Sequence, residues 1–220
     1  MKKASTQADY QRVGTALLQF AKGNIIAITS LENQLTHFPD SPWRYVLSET
    51  LGLIDPANQR AIATFIEILD DPKKLEDCQI ALTALSKIAV GDDRAIAAVV
   101  EFLSSELSPN QQRQGLRCLE AIGQGHSLAI ACLLQRFRVY RGGSLRCQTA
   151  ESLEKIDPGN PTAISVLLHL LQPSQTTEIR KQAIYSLGET SASYPQAITA
   201  LIHLLQTDDD IFMRWLAISS

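Results

Sequence analysis

Apolar residues recur along this chain on two superimposed periods. Within residues 161–190, Ile164, Leu167, Leu168 and Leu171 fall at i, i+3, i+4 and i+7, the apolar stripe of a helix. Pro173, Ser174 and Gln175 interrupt that stripe, and a second one follows with Ile179, Ala183, Ile184 and Leu187. The unit is a helix A, a short polar loop, a helix B and a tight turn. The longer period is 34 residues: Ala-Ile stands at Ala27-Ile28, Ala61-Ile62, Ala95-Ile96, Ala129-Ile130, Ala163-Ile164 and Ala197-Ile198, with no slip. A fixed period of this length marks a supersecondary unit that stacks on copies of itself.

Aligned on that period, the core positions form columns. In helix A one column is Leu31, Phe65, Val99, Leu133, Leu167 and Leu201, and another is Leu35, Leu69, Leu103, Phe137, Leu171 and Leu205. In helix B one column is Leu17, Leu51, Leu85, Leu119, Leu153 and Leu187, and Ile54, Ile88, Ile122 and Ile156 form the next turn. The junctions are as regular: Gly23-Asn24, Ala57-Asn58, Gly91-Asp92, Gly125-His126, Gly159-Asn160 and Ser193-Tyr194. Glycine near a helix end supplies a left-handed cap, and Asn or Asp after it can cap the next helix A.

The pattern predicts an all-α fold, a right-handed α-solenoid of about six helix-pair repeats spanning residues 1–220 as one array. A leading helix covers 8–22, and the repeats run over 25–54, 60–90, 93–123, 127–156, 161–190 and 195–220. Strand-like alternation and a domain break are both missing from the pattern. The leading helix reads as a helix B without its helix A, and FMRWLAISS stops part-way through a helix B. The sequence therefore reads as a fragment of a longer protein.

Composition adds limits. The 220 residues are 45% hydrophobic and 20% charged, with a formal net charge of -3, so a basic coat for nucleic acid or anionic membrane is not expected. No stretch approaches the roughly 20 consecutive apolar residues that span a bilayer, and no secretory leader follows the first lysines. The chain reads as cytoplasmic. Cys78, Cys118, Cys132 and Cys147 show no C-x-x-C spacing, so no zinc site or redox motif is signalled. Cys118 shares a column with Thr50, Ala84, Ser152, Ser186 and Ser220, which suits a small buried thiol.

The motif A-I-x-x-L-x-x-L-L, an acidic loop and V-R-x-x-A-x-x-x-L-G-x-I-G is best matched by AISVLLHLL…EIRKQAIYSLGET and AITALIHLLQTDDDIFMRWLAISS. On these motifs the unit resembles HEAT repeats, of the bacterial type called PBS-lyase HEAT-like, with junctions similar to cyanobacterial members. The tetratricopeptide signature, which shares the period, is not found in register. The resemblance implies that the helix-B arginines Arg44, Arg146, Arg180 and Arg214 bond acidic or carbonyl groups of a neighbouring loop. It also implies that the B helices line a concave face.

Candidate chemistry is sparse. Phosphate-cradle, dinucleotide and nucleophile-elbow motifs are not found, so no catalytic residue and no cofactor is expected. His169 and His203 stand 34 apart on successive A helices and read as surface residues, so no metal site is expected. Two candidate surfaces remain. The non-core columns of the B helices contain Tyr45, Glu49, Arg113, Arg117, Glu151, Lys181, Tyr185 and Trp215, mixed in charge and with aromatic types favoured at interfaces. The other is a basic loop after the fourth helix A, with Arg136, Arg138, Tyr140 and Arg141 as contacts for an anion or an acidic partner.

The leading expectation is a non-enzymatic scaffold that binds another protein on the concave B-helix face, because stacked repeats offer a long surface rather than a pocket of converging groups. The resemblance allows a place within a larger regulatory or signalling protein, such as the cyanobacterial signalling ATPases with HEAT-like tails. The alternative it implies is a bilin lyase, or a lyase-like chromophore-handling protein of the phycobilisome, with a bilin as ligand. Nucleic-acid binding is disfavoured by the net charge.

Overall fold

Helix propensity, a 3.6-residue apolar stripe and a cap at each junction act together in every copy, and the result is helical throughout. The structure is a computed structural model and describes residues 7–38, 43–70, 75–140, 142–190 and 195–207. Among the described residues there are twelve α-helices and no strand: α1 (Gln7–Phe20), α2 (Ile25–His37), α3 (Arg44–Ile54), α4 (Gln59–Leu69), α5 (Leu75–Ile88), α6 (Asp93–Ser104), α7 (Pro109–Ile122), α8 (Ser127–Val139), α9 (Gly143–Ile156), α10 (Pro161–Leu170), α11 (Thr177–Thr190) and α12 (Pro195–Thr207). These bounds lie within about two residues of the sequence reading at nearly every end, as expected for frayed termini. The last expected helix B falls in 208–220, outside the described residues.

The fold class is all-α, of the α-solenoid kind. The helices group into two compact units, Met1–Ile122 and Gly123–Ser220, divided at a repeat junction. In the first unit the B helices α1, α3, α5 and α7 pack in succession, and α4 and α6 adjoin in a second layer. In the second unit α9 packs on α11, with α8, α10 and α12 as the A helices.

The columns are the core. Leu51, Leu85, Leu119, Leu153 and Leu187 are fully buried, and so are Ala61, Ala95, Ala129, Ala163 and Ala197. Phe65, Val99, Leu133 and Leu167 carry the same role on the A helices. Small side chains let the B helices approach one another. Gly52 in α3 is the tightest case in this row: a Cβ there would lie 2.7–2.9 Å from the Ile88 side chain of α5, so any larger residue forces the two helices apart.

The junctions explain how one repeat registers on the next. Gly23, Gly91, Gly125 and Gly159 adopt φ between 69° and 88°, as a left-handed helix stop requires. Three of them reach the following repeat: Gly23 N–H donates to the Ile54 carbonyl at 2.8 Å, Gly91 to Ile122 at 2.9 Å and Gly125 to Ile156 at 2.9 Å. Each bond satisfies a carbonyl that a helix end would otherwise leave unpaired. The residue after each then caps helix A: Asn24 Oδ1 accepts from the Ile26 and Ala27 N–H groups, Asp92 from Ala95, and Asn160 from Thr162.

Ala57 is the exception among the junctions, a non-glycine at φ 64°. Its Cβ crowds the backbone there by about 1 kcal/mol. Ala57→Gly is expected to raise the unfolding free energy by about 1 kcal/mol in urea titration. The same substitution at Ala61, in the interior of α4, is expected to lower it.

Candidate interaction surface on the B helices

The phase of each B helix decides what it shows. In α3 the turn through Leu47, Leu51 and Ile54 is buried, which leaves Tyr45 and Glu49 half-buried on the adjoining side. The Tyr45 ring lies 6.4 Å from that of Phe65 in α4, centroid to centroid and tilted, so it is partly a packing residue. Glu49 Oε1 accepts from Lys87 Nζ of α5 at 2.7 Å. In α7 the core residues are Leu116, Leu119 and Ile122, and Arg113 and Arg117 stand in solvent. Across α3, α5 and α7 the first unit thus presents an ion-paired region and then two exposed guanidinium groups.

The second unit shows its own portion of the same columns. Glu151 of α9 is half-buried and accepts a hydrogen bond from the Ser186 hydroxyl of α11, tying the two B helices. Lys181 Nζ stands 4.0 Å from Glu178 one turn earlier on α11. Tyr185 is 59% exposed, although Ala183, Ile184 and Leu187 around it are fully buried. Trp215 lies outside the described residues. Tyr45, Glu49, Arg113 and Arg117 therefore share one unit, and Glu151, Lys181 and Tyr185 share the other.

The arginine ladder is partly as the resemblance implies. Arg44 forms a salt bridge with Glu67 of α4, and Arg180 Nε donates to the Leu171 carbonyl at the end of α10 at 2.9 Å. Arg146 Nε is buried with no hydrogen-bond partner among the described residues, and Arg214 lies outside them.

The expected basic loop needs correction. Helix α8 continues to Val139, so Arg136 and Arg138 are helical residues rather than loop residues. Arg136 and Tyr140 are each only 7% exposed, which withdraws both from a partner's reach. The cause is helical spacing: Cys132, Arg136 and Tyr140 follow one another at intervals of four and turn inward together. Burial pushes the Tyr140 hydroxyl and the Cys132 thiol up from their ordinary pKa values, and Arg136 offsets part of each shift. The Arg138 side chain is not described, and Arg141 lies outside the described residues.

The cysteines are placed as their columns suggest. All four are free and buried. Burial pushes the Cys118 thiol up to about 12, and burial with Glu151 nearby does the same for Cys147 against the opposing pull of Arg146. Thiols held protonated in this way are poor nucleophiles. Among the described residues no group of three or more His, Cys, Asp or Glu could hold a metal ion, and no helix is long and apolar enough to cross a membrane.

Two apolar grooves were not foreseen from the columns. One, of about 680 Å³, lies between α1, α2 and α3, and one of about 630 Å³ lies between α10 and α12 beside Pro173 and Arg180. The signal for the first was present in the sequence as Ile25-Ile26, where other copies carry mostly polar residues.

Residues 141–220 match the family model for HEAT repeats. No curated protein matches the chain.

Proposed function

We propose that this HEAT-repeat chain is a non-catalytic scaffold that binds another protein on its B-helix face. Tyr185 carries the reading: a large aromatic side chain kept 59% exposed on a helix whose neighbouring positions are closed to solvent. Tyrosine and arginine in such positions supply most of the binding energy in protein interfaces. Arg117, exposed on α7 and without an ion pair among the described residues, supplies a charged anchor on the first unit. The partner that suits both is a protein surface with apolar and acidic groups side by side, because Glu49 and Glu151 are already engaged by Lys87 and Ser186.

The test is affinity capture from a native lysate, comparing the full chain with Arg117→Glu/Tyr185→Ala by quantitative mass spectrometry. Proteins retained by the original chain are expected to be depleted at least tenfold with the variant, at an unchanged melting temperature. An identical capture profile removes the B-helix face as the binding surface. A lowered melting temperature with unchanged capture assigns the two side chains to packing instead.

A further inference from the structure

The first described helices expose positions that later copies bury. Phe20 stands in the column of Ile54, Ile88, Ile122 and Ile156, which are at most 4% exposed, and Phe20 is 85% exposed. Val13 stands in the column of the buried Leu47 and Ala81 and is itself exposed. At the start of α2 the residue type also changes. The equivalent pairs are Gln59-Arg60, Asp93-Arg94, Ser127-Leu128, Pro161-Thr162 and Pro195-Gln196, whereas α2 begins with Ile25-Ile26, 78% and 81% exposed.

Those equivalent pairs, through Thr162, remain exposed where further helices pack around them. One more helix in the register of the repeat would therefore leave Ile25 and Ile26 bare. Their cover must extend beyond the α1 surface onto the first turn of α2. The groove of about 680 Å³ adjoins them, with Leu17, Ala21, Ala27 and Leu31 among its lining residues.

We propose that two copies of this chain associate through this face, with Phe20, Ile25 and Ile26 of each packed into the α1–α2 groove of the other. A two-fold interface uses the same patch on both partners and must be complementary to itself. This patch is, because it carries both projecting apolar side chains and an apolar recess. Its charge also suits a self-contact. Between Val13 and Leu31 the only charged residue is Lys22, whereas the equivalent stretches 47–65, 81–99, 115–133 and 149–167 each carry two to four Asp, Glu, Lys or Arg residues. Two such faces meet with little like-charge repulsion.

The area is sufficient. Val13, Phe20, Ile25 and Ile26 together expose roughly 550 Å², at the upper end of what a monomer leaves bare. Pairing two copies removes roughly 1,100 Å², just above the ~1,000 Å² that a specific interface requires. An interface of that size gives a reversible dimer rather than a permanent one.

Sedimentation equilibrium of the full chain over roughly 1–100 μM tests this. A concentration-dependent approach to twice the protomer mass is expected. Phe20→Asp/Ile26→Asp is expected to weaken association at least tenfold, with the helical circular-dichroism spectrum retained. Should that variant fail to fold, Ile25→Gln/Ile26→Arg reads the same interface with residues that α4 already uses at its own start. A protomer mass throughout overturns the proposal. So does a dimer that persists in either folded variant, which would place the contact elsewhere. A chain that dimerises only after residues 1–6 are deleted overturns it too, by making its own leading residues the cover.

Discussion

Leu119→Ala lowers the unfolding free energy by about 3 kcal/mol, and Leu17→Ala, in the same column, by about 1 kcal/mol or less. Both replace a leucine on the inner face of a B helix, so propensity and chemistry are matched. Only the surroundings differ. Leu119 is fully buried in α7, and Leu17 borders the open α1–α2 groove as a half-exposed residue. Truncating Leu119 forfeits its transfer free energy and leaves a cavity between helices that cannot collapse around it. Truncating Leu17 widens a space that is already open. Denaturant titration of the two variants measures the contrast. Equal losses would show that the groove beside Leu17 is closed in solution by something as large as a repeat.

Asn58→Ala costs about 2–3 kcal/mol, two to three times the loss from Asn24→Ala. The two asparagines cap equivalent A helices with the same atoms. Asn58 Oδ1 accepts from the Arg60 and Ala61 N–H groups, as Asn24 Oδ1 does from Ile26 and Ala27. Asn58 does more, because its Nδ2 donates to Glu32 Oε1 at 3.0 Å and to Asp55 Oδ2 at 2.7 Å. Glu32 belongs to α2 and Asp55 to the end of α3, so one buried amide joins three helices. Its removal strands N–H donors at a buried helix start and deprives two carboxylates of a donor. Asn24 is exposed, and water replaces what its removal takes away. Thermal or urea unfolding of both variants checks the ratio. Asn58→Asp is expected to be worse than Asn24→Asp, because a third carboxylate would join Glu32 and Asp55.

The charged groups along the A-helix starts illustrate how much of this was legible in advance. The capping role of Asn24, Asp92 and Asn160 follows from their place after a left-handed residue, and the structure has it so. That Gln59 would donate to Asp92 at 2.9 Å and accept from Arg94 at 3.1 Å was not legible. These bonds link residues 33 and 35 apart, one off the repeat on either side, and depend on how far adjacent A helices are rotated. The Glu49–Lys87 pair, 38 residues apart, is of the same kind. An exposed pair of this sort contributes about 0–1 kcal/mol and serves register more than stability.

The sequence by itself determined the helix pairs, the 34-residue period, the core columns and the turn chemistry of the junctions. It could do so because a repeat places the same position in nearly the same environment each time, so composition at a column reports burial directly. Only the tertiary structure decided the cases in which column and environment part company. Arg136 and Tyr140 look like a solvated basic loop in sequence, and they are buried because α8 runs one turn further and turns them inward with Cys132. Phe20 looks like a core residue by its column, and it is exposed because no described helix lies on that side of α1. A column states what a position can bury. Whether it is buried depends on the neighbour that arrives there, and that is a property of the packed helices rather than of the residue.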